Sequence, residues 1–347
     1  MKLLTLILSL AFITTSNSFG ASIKPNDKNL RYIGRFTKDY KFAWTGSSVE
    51  LIFEGSSIQA SFSCDKLSKG QVAMTAVLNG EEKTLFINPK QKDYLIADNL
   101  PKGKHTLTLF RRSEASYGTL QFKGFKLSGK SKIHKAVDPN RKIHAVGDSI
   151  TCGYGNGTNN LQEGCTVENE NGYMSYAAIA ARELKADVMM TCWSGKGMTR
   201  NGKGINPMTI PKLFDFTLPA EQEDKYDHSN YVPDVFVINL GTNDMRKTHK
   251  TPLSKESYIN DYNKFIKHLR SYAPKSKIVL CIGPMGFLPV KPWLSEIAKQ
   301  HKNTSVLIFT PYKKASEKGG HFHPSIEKDK LMASELQKHI KKLTKWK

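Results

Sequence analysis

Four short polar segments after residue 146 carry the residue types needed for acyl transfer. Ser149 stands in the glycine-flanked turn GDSIT (residues 147–151), and His323 stands just before the last predicted helix. A hydroxyl becomes an effective nucleophile when a nearby imidazole accepts its proton. Gly195 offers an unobstructed backbone N–H and Asn243 a side-chain NH2, and donors of this kind can stabilise a developing oxyanion.

Each of these residues also has a structural explanation when it is taken alone. A serine in such a turn is often a helix cap, Gly195 suits a flexible loop, and Asn243 can cap the next element. His321 and His323 resemble a metal-binding pair, but no third ligand has suitable spacing, so we expect no metal and no cofactor. Position favours the functional interpretation, because three of the segments follow three successive predicted strands and should meet at one edge of a sheet.

A region of alternating strands and helices, beginning at residue 138, places these segments. Apolar runs suited to buried parallel strands cover residues 142–146, 186–192, 235–240, 277–282 and 305–309. Helical patterns lie between them at residues 173–184, 254–272, 291–301 and 325–343. The alternation predicts a parallel sheet covered by helices on both faces. The long segment 201–233 is expected to form a rim or lid.

A different periodicity occupies residues 21–137. About eight short runs of alternating or β-branched residues recur there, separated by turn signals such as Asn79-Gly80. Strands at this spacing predict a β-sandwich, of jelly-roll type. The sequence therefore predicts an α/β protein with two domains: a β-sandwich over residues 21–137 and a three-layer α/β/α domain over residues 138–347.

The first twenty residues have the pattern of a signal peptide. Lys2 precedes an apolar run that is too short to span a bilayer comfortably, and Ser18 and Gly20 put small residues at the −3 and −1 positions of a cut before Ala21. No later stretch is apolar enough for a transmembrane helix. We expect a secreted or periplasmic protein without an integral membrane segment in the mature chain.

The chain of 347 residues is strongly basic, with 52 Lys and Arg against 31 Asp and Glu and a net charge of +21. Its 39% hydrophobic content and mean hydropathy of −0.44 exclude collagen-like and mainly disordered classes. Most of the basic residues are lysines scattered along the chain rather than gathered into a stripe with aromatics, so no nucleic-acid partner is expected. Attraction to an anionic polysaccharide or envelope is the functional alternative to a solvated basic surface.

The cysteines and the oligomeric state are left open by the sequence. Five cysteines cannot all pair among themselves, and none has the spacing of a metal site. A Cys152–Cys165 bridge and buried free thiols are both compatible with the pattern.

Taken together, the polar segments resemble the SGNH (GDSL-type) hydrolases. Residues 147–151, Ser194-Gly195, residues 241–244 (GTND) and His323-Pro324 match the four blocks of that superfamily in their usual order. The preceding β-sandwich and several longer stretches look specifically like carbohydrate esterase family 2; these stretches are residues 147–155, 168–169, 176–182 and 193–197. The resemblance covers nearly the whole mature chain.

The resemblance implies a role for each matching residue. Ser149 would be the nucleophile and His323 its general base. The N–H groups of Ser149 and Gly195, with the side chain of Asn243, would form the oxyanion hole. Trp193 and Tyr154 flank the blocks and are candidates for stacking on a sugar ring, although Trp193 suits the core at a strand end equally well.

One position departs from the SGNH pattern. Many of these enzymes carry Asp three residues before the histidine, and that position is Gly320 here. We expect a backbone carbonyl to hold the imidazole instead, which gives a Ser–His dyad of a kind that family 2 esterases tolerate. Glu317 is an alternative orienting group, and the missing acid would also fit a non-catalytic relative.

The expected function is removal of O-acetyl groups from a polysaccharide such as acetylated xylan or glucomannan. An O-acetylesterase that acts on peptidoglycan or on an acidic acetylated glycan is the alternative within the same chemistry. A carbohydrate-binding protein with a silent hydrolase domain is the alternative from another class. The sequence does not name the glycan or the acetyl position.

Overall fold

The computed structural model describes residues 19–64, 67–128, 130–202, 207–285 and 288–347. The predicted signal peptide falls on residues 1–20, of which residues 1–18 lie outside these ranges, and it stays a prediction. Within the described ranges, every helix is too short or too polar to span a bilayer.

Two antiparallel sheets form the first region of the molecule. One sheet has the strand order β1-β10-β5-β8, with β3 beside β10, and the other has the order β11-β4-β9-β6-β7, with β2 beside β4. The strands are β1 (Phe19–Ile23), β2 (Arg31–Ile33), β3 (Lys41–Phe42), β4 (Ser48–Glu54), β5 (Ile58–Cys64), β6 (Val72–Leu78), β7 (Glu81–Ile87), β8 (Asp93–Ala97), β9 (His105–Arg111), β10 (Leu120–Ser128) and β11 (Lys132–His134).

One core joins both sheets of this region. Phe53 and Leu109 come from one sheet and Phe62 and Phe122 from the other, and all four are essentially inaccessible. Alternation along the strands explains this, because successive side chains point to opposite faces of a sheet. The β-sandwich predicted from the sequence is confirmed, and the predicted boundary at residue 137 falls in the link after β11.

The second region is built on a parallel sheet with the order β13-β12-β16-β17-β18. A two-stranded hairpin, β14-β15, lies outside it. The elements are β12 (Lys142–Gly147), α1 (Ser149–Cys152), α2 (Tyr176–Glu183), β13 (Asp187–Cys192), α3 (Ile210–Leu213), β14 (Phe216–Leu218), β15 (Glu223–Lys225), β16 (Val235–Asn239), α4 (Lys255–Tyr272), β17 (Lys277–Ile282), α5 (Lys291–Gln300), β18 (Thr304–Ile308) and α6 (Ile326–Thr344).

Helices cover both faces of the parallel sheet. Val235 and Val237 of β16 share a cluster with residues of α2 and α6, whereas Phe236 and Ile238 share another with residues of α4 and α5. A strand buried on both faces needs apolar residues at every position, which is the pattern in the sequence. The predicted three-layer α/β/α arrangement is confirmed.

The segment expected to form a rim or lid packs differently. Its residues 207–233 contain α3 and the β14-β15 hairpin, and they lie against the β-sandwich. Trp44 Nε1 donates to the carbonyl of Phe216 at 2.9 Å, and Arg35 Nη1 donates to the same carbonyl at 3.0 Å. These residues therefore join the two regions of the molecule.

The two cysteines considered for a bridge are separate thiols. Cys152 is fully buried in the α/β region, where its thiol neighbours that of Cys192. Cys165 is half-buried, and its Sγ lies 3.6 Å from the hydroxyl of Tyr117. The Cys152–Cys165 disulfide is not formed.

Candidate active site

A tight turn after β12 presents Ser149. A Cβ atom at Gly147 would lie 2.0 Å from Thr151 Oγ1, so only glycine fits there. Asp148 caps the short helix α1, since its Oδ1 accepts the N–H of Ile150 at 3.0 Å. Ser149 is thereby the first helical residue at the carboxyl edge of the sheet, and its hydroxyl faces the loop that precedes α6.

His323 reaches back over the sheet to that hydroxyl. Its Nε2 lies 2.8 Å from Ser149 Oγ, and its Nδ1 lies 3.3 Å from the carbonyl oxygen of His321. A carbonyl only accepts, so Nδ1 carries the proton and Nε2 is left to accept from the serine. His321 and Phe322 adopt φ values of +46° and +63°, and this left-handed turn brings the carbonyl of His321 to the Nδ1 edge of the ring.

No carboxylate within the described residues contacts His323. A Cβ atom at Gly320 would lie 2.8 Å from the carbonyl oxygen of Glu163, so an aspartate there requires the backbone to move. Glu317, the alternative orienting group, accepts from Lys328 Nζ at 2.9 Å, and both side chains are buried. Among the described residues, the carbonyl of His321 is therefore the acceptor at Nδ1 of His323.

Burial controls the charge of this imidazole. The ring keeps part of its surface exposed at the cavity, yet the protein packed around it removes enough water to lower the pKa of His323 to about 4. The carbonyls of His321 and Gly320 offset only part of that effect. The ring of Tyr154 covers one face, with 4.3 Å between the ring centroids. His323 is therefore neutral, and able to accept a proton, at every pH above its lowered pKa.

Three N–H donors surround the serine. The backbone N–H groups of Ser149 and Gly195 find no acceptor within the described part of the chain. Gly195 has a φ of +79°, and the space where a Cβ would stand is empty. Asn243 Nδ2 donates to Asp148 Oδ2 at 3.1 Å and to the carbonyl of Lys196 at 2.9 Å, so both of its protons already have acceptors.

Asp148 has a further property that the sequence did not reveal. Its side chain is fully buried, and burial raises the pKa of this carboxyl to about 7, although the bonds from Ile150 and Asn243 favour the charged form. The carboxyl thus changes charge close to neutral pH, next to a candidate oxyanion donor. In the sequence, Asp148 stands out only as a member of the GDSIT turn, and nothing there indicates a raised pKa.

A cavity of about 690 Å³ opens over these groups. It brings together Ser149, Gly195, Asn243, His323 and Tyr154, five of the residues singled out in the sequence. The other described lining residues are Leu161, Gln162, Ser194, Thr242, Arg246, Met285, His321 and Phe322.

The two candidate stacking residues differ in position. Tyr154 lines the cavity, and its hydroxyl lies 3.0 Å from His321 Nδ1, so it supports the histidine loop. Trp193 is not among the described lining residues. Its ring packs edge-on against Trp44, with centroids 6.5 Å apart, which fits the core explanation.

Two groups of described residues have metal-ligating atoms close together, and neither contains His321 or His323. In the first, the Nε2 atoms of His228 and His268 both donate to Asp215 Oδ1, at 2.8 and 2.7 Å. Burial and the nearby charge of Arg35 lower the pKa of His228, and that charge disfavours a cation. These bonds tie the segment before β14 to α4. The second group, Glu114, Cys152 and Glu170, lies between the two regions.

The fold and the paired serine and imidazole define a class, the GDSL-type ester hydrolases. Residues 145–324 match the GDSL-like lipase/acylhydrolase family model, and residues 32–136 match the model for the carbohydrate esterase 2 N-terminal region. The chain belongs to carbohydrate esterase family 2, and it is an esterase with a GDSL-type hydrolase region.

Named relatives and a solved structure agree with this membership. A family two carbohydrate esterase from Clostridium thermocellum, solved in complex with cellohexaose, has a TM-score of 0.85 and 34% identity, covering 92% of this chain and all of that one. The cellulase/esterase CelE of Acetivibrio thermocellus is 35% identical over 339 residues, 93% of this chain; the chain spans 40% of that relative. An acetylxylan esterase/glucomannan deacetylase of Cellvibrio japonicus is 27% identical over 337 residues, covering 94% of this chain and 92% of that protein.

Proposed function

We propose that the protein removes O-acetyl groups from polysaccharides of the acetylxylan or acetylglucomannan type, through an acetyl-enzyme on a Ser149–His323 dyad. The observation that carries the proposal is the 2.8 Å pair of Ser149 Oγ and His323 Nε2 at the floor of an open cavity. The relative named as an acetylxylan esterase/glucomannan deacetylase supports the substrate class. Such polymers lie outside the cell, in keeping with the predicted export.

The first half of the reaction acetylates the serine. Ser149 Oγ attacks the acetyl carbonyl carbon while His323 Nε2 takes the hydroxyl proton. The carbonyl oxygen becomes negative and accepts from the N–H groups of Ser149 and Gly195. His323 then passes its proton to the sugar oxygen, and the C–O bond to the sugar breaks. The deacetylated sugar leaves, and the acetyl group stays on Ser149.

The second half repeats these steps with water. His323 Nε2 takes a proton from a water molecule, whose oxygen attacks the acetyl carbon, and then returns the proton to Ser149 Oγ as acetate leaves. The carbonyl of His321 holds Nδ1–H throughout and stabilises the imidazolium that forms in each half.

Asn243 completes the oxyanion hole by sharing a proton. The Nδ2 bond to Asp148 Oδ2 is the longer of its two bonds, 3.1 Å against 2.9 Å to the carbonyl of Lys196. An Nδ2–H of Asn243 that is shared between Asp148 and the oxyanion would bond more strongly to the oxyanion as negative charge develops there. Asp148 and Lys196 meanwhile keep the amide plane in place.

The substitution Ser149→Ala tests the function. Acetate release from 4-nitrophenyl acetate and from acetylated xylan should fall by a factor on the order of 10³–10⁶, because the nucleophile is gone. Ser295→Ala, which removes a hydroxyl bonded to a carbonyl of α5, is the matched control and should keep the wild-type rate. Turnover by a folded Ser149→Ala protein close to that of the wild type contradicts the proposal, and binding of acetylated glycans without acetate release would favour the carbohydrate-binding alternative.

A second candidate substrate, an acidic acetylated glycan, is favoured by Arg246. This exposed side chain lines the cavity and forms no ion pair within the described residues, and no Asp or Glu is among the lining residues described above. An unpaired guanidinium beside the nucleophile suits a carboxylate on the sugar that bears or adjoins the acetyl group. The net charge of +21 would attract the same substrates from a distance.

The substitution Arg246→Gln separates the two substrate classes. For an acidic glycan, kcat/KM should fall about tenfold for acetylated oligosaccharides with a uronic acid and stay unchanged for neutral ones, roughly the effect of one lost ion pair. The wild-type rate on the acidic substrate should also fall between about 50 mM and about 500 mM salt. Lys247→Gln, at the exposed neighbouring position, is the control. An equal effect on both substrates rejects this candidate, and a parallel assay on O-acetylated peptidoglycan tests the remaining alternative.

A further inference from the structure

The loop of residues 193–197, here called the Gly195 loop, is held by a carboxylate from the β-sandwich. Glu114 lies just after β9 and is only 6% exposed. Its Oε2 accepts the backbone N–H of Ser194 at 2.7 Å, and its Oε1 accepts the hydroxyl of Ser116 at 2.7 Å. The first bond joins the two regions of the molecule one residue before the candidate oxyanion donor.

Glu114 is itself fixed by its backbone. Its N–H donates to Glu170 Oε2 at 3.0 Å, and its carbonyl accepts from Arg111 Nη2 at 3.0 Å. Arg111 and Glu170 are both fully buried. The carboxylate that meets the Gly195 loop therefore projects from a backbone that is bonded on both sides.

Within the described residues, the peptide that carries the Gly195 N–H makes no hydrogen bond, although the N–H of Lys196 donates to the carbonyl of Trp193 at 3.2 Å across it. The position of a Cβ at Gly195 meets nothing within 4 Å, and a φ of +79° is open to glycine with little steric restriction. On one side of the glycine, its carbonyl accepts the N–H of Gly202 at 2.8 Å. On the other side, the N–H of Ser194 donates to Glu114 and, together with the Lys196 bond, fixes the peptide between Trp193 and Ser194.

We propose that Glu114 is a positioning residue, which sets the direction of the Gly195 N–H so that it meets the oxyanion. The inference rests on the proposed function, because it assigns Gly195 to the oxyanion hole. A bond to a carboxylate is stronger than one to a neutral acceptor, and at 2.7 Å it holds Ser194 closely. A donor held in place before the reaction costs no reorganisation when charge develops, and this is the source of its catalytic effect.

A bound cation is the other arrangement that this cluster suggests, because Glu114, Cys152 and Glu170 each bring a ligand atom to one place. Burial raises the pKa of Glu170 and that of Cys152 well above their ordinary values, which disfavours the charged forms that bind a cation. A protonated carboxyl and a thiol are poor ligands. Both oxygens of Glu114 already accept hydrogen bonds, which favours the positioning role.

Four variants test the inference. Glu114→Met keeps the bulk but removes the acceptor, Glu114→Asp keeps the charge on a side chain one methylene too short, and Glu114→Gln keeps an acceptor oxygen. Glu50→Gln is the matched control, because it changes a carboxyl of the sandwich that accepts from Arg31 and does not touch the Gly195 loop. Each purified full-length protein is assayed on 4-nitrophenyl acetate, with its melting temperature measured alongside.

We expect kcat of the Met and Asp variants to fall about 10- to 100-fold, with KM changed by no more than about twofold. A misplaced donor can lower kcat by as much as the removal of that donor does. The Gln variant should lose about three- to fivefold, because a neutral acceptor bonds Ser194 more weakly than a carboxylate does, and the control should lose no more than about twofold. Affinity for a boronic acid that forms a tetrahedral adduct with Ser149 should fall in parallel with kcat/KM. A merely structural role would lower the melting temperature and leave kcat and boronate affinity unchanged.

The outcomes separate this inference from the proposed function. A Met or Asp variant that folds and keeps kcat within about twofold, or that changes KM alone, overturns the role of Glu114. If neither variant folds, the Gln variant decides: weaker boronate affinity supports the role, and wild-type affinity overturns it. If Ser149→Ala retains turnover, the proposed function fails, whatever the Glu114 variants show. If Ser149→Ala is inactive and the Glu114 variants are fully active, only the inference about Glu114 fails.

Discussion

Arg111 in the β-sandwich and the backbone donors at the cavity of the α/β region differ in their hydrogen-bond partners. In the β-sandwich, the fully buried Arg111 donates to the carbonyls of Phe42, Ser113 and Gly118 as well as that of Glu114. In the α/β region, the N–H groups of Ser149 and Gly195 are left facing a cavity. Donors that bond internal carbonyls stabilise the fold. Unpaired donors beside the proposed nucleophile can instead bond an oxyanion, whose charge appears only during the reaction.

This contrast implies that substitutions in the two regions have separable effects. Changes around the cavity should lower the rate and leave the free energy of unfolding nearly unchanged. Changes in the sandwich core should do the reverse. Glu114 is the exception that links them, since it belongs to the sandwich and contacts the Gly195 loop.

The largest effect is expected from His323→Ala. Without the base, kcat for 4-nitrophenyl acetate should fall by a factor on the order of 10³–10⁶, with little change in melting temperature because the ring is half-buried. His134→Ala is the control from the sandwich, where His134 pairs with Glu54 at 2.8 Å, and its rate should be that of the wild type. If His323→Ala lowered the free energy of unfolding by as much as it raised the activation free energy, the contrast between the two regions would be wrong.

In the sandwich core, Phe62→Ala should lower the free energy of unfolding by about 3–5 kcal/mol, the usual cost of a large aromatic cavity. Phe62 is 1% exposed and packs against the rings of Tyr94 and Phe122. Denaturant titration measures the loss, and kcat at low temperature should be unchanged. Phe86→Ala, at a position that is 36% exposed, is the control. A tenfold loss of kcat in folded Phe62→Ala would show that the sandwich core reaches the site.

Asn243→Ala should lower kcat by about 10²–10³ with KM nearly constant, as expected for loss of one oxyanion donor. Steady-state kinetics on 4-nitrophenyl acetate check this value. Asn263→Ala removes an amide on α4 that bonds Gln300 at 2.9 Å, and it serves as the control. A change in KM alone would remove Asn243 from the oxyanion hole.

The smallest effect is a shift of the pH profile. In the proposed mechanism His323 is the neutral base. Burial lowers the pKa of His323 to about 4, so activity should be full above that pKa and lost as the pH falls through it. The expected result is that kcat/KM falls on the acid side only at a pH well below 6.5. A second inflection near pH 7, absent in Asp148→Asn, would report the raised pKa of Asp148. An acid limb at 6.5 would mean that water reaches the imidazole freely.

Much of the scaffold was predictable because its periodic patterns are long. The five parallel strands and the helices α4, α5 and α6 lie within one or two residues of the ranges predicted from apolar runs. Strands β1, β2 and β11 were missed, since three to five residues at a sheet edge carry little periodicity. The β14-β15 hairpin was also missed, because each of its strands has only three residues and carries little periodicity.

The sequence predicted the motif residues of the candidate site but not the contacts that hold them in place. Ser149, Gly195, Asn243 and His323 converge because the ends of parallel strands share one edge of the sheet. The substitution of a carbonyl for an acid was expected from Gly320, yet nothing in the sequence identifies His321 as its source. Contacts between distant segments, such as Glu114 with Ser194 and Trp44 with Trp193, have no local signature.

The bond from Glu114 to Ser194 has a consequence for protein engineering. A fragment starting at residue 138 would contain Ser149 and His323 but neither Glu114 nor Trp44, so the indole of Trp193 would meet water and the amide of Ser194 would lose its acceptor. We therefore expect that the hydrolase region does not keep its full activity when it is separated from the sandwich. Exchanging sandwiches between related esterases should change turnover itself, even on a small soluble ester that no carbohydrate-binding surface would recognise.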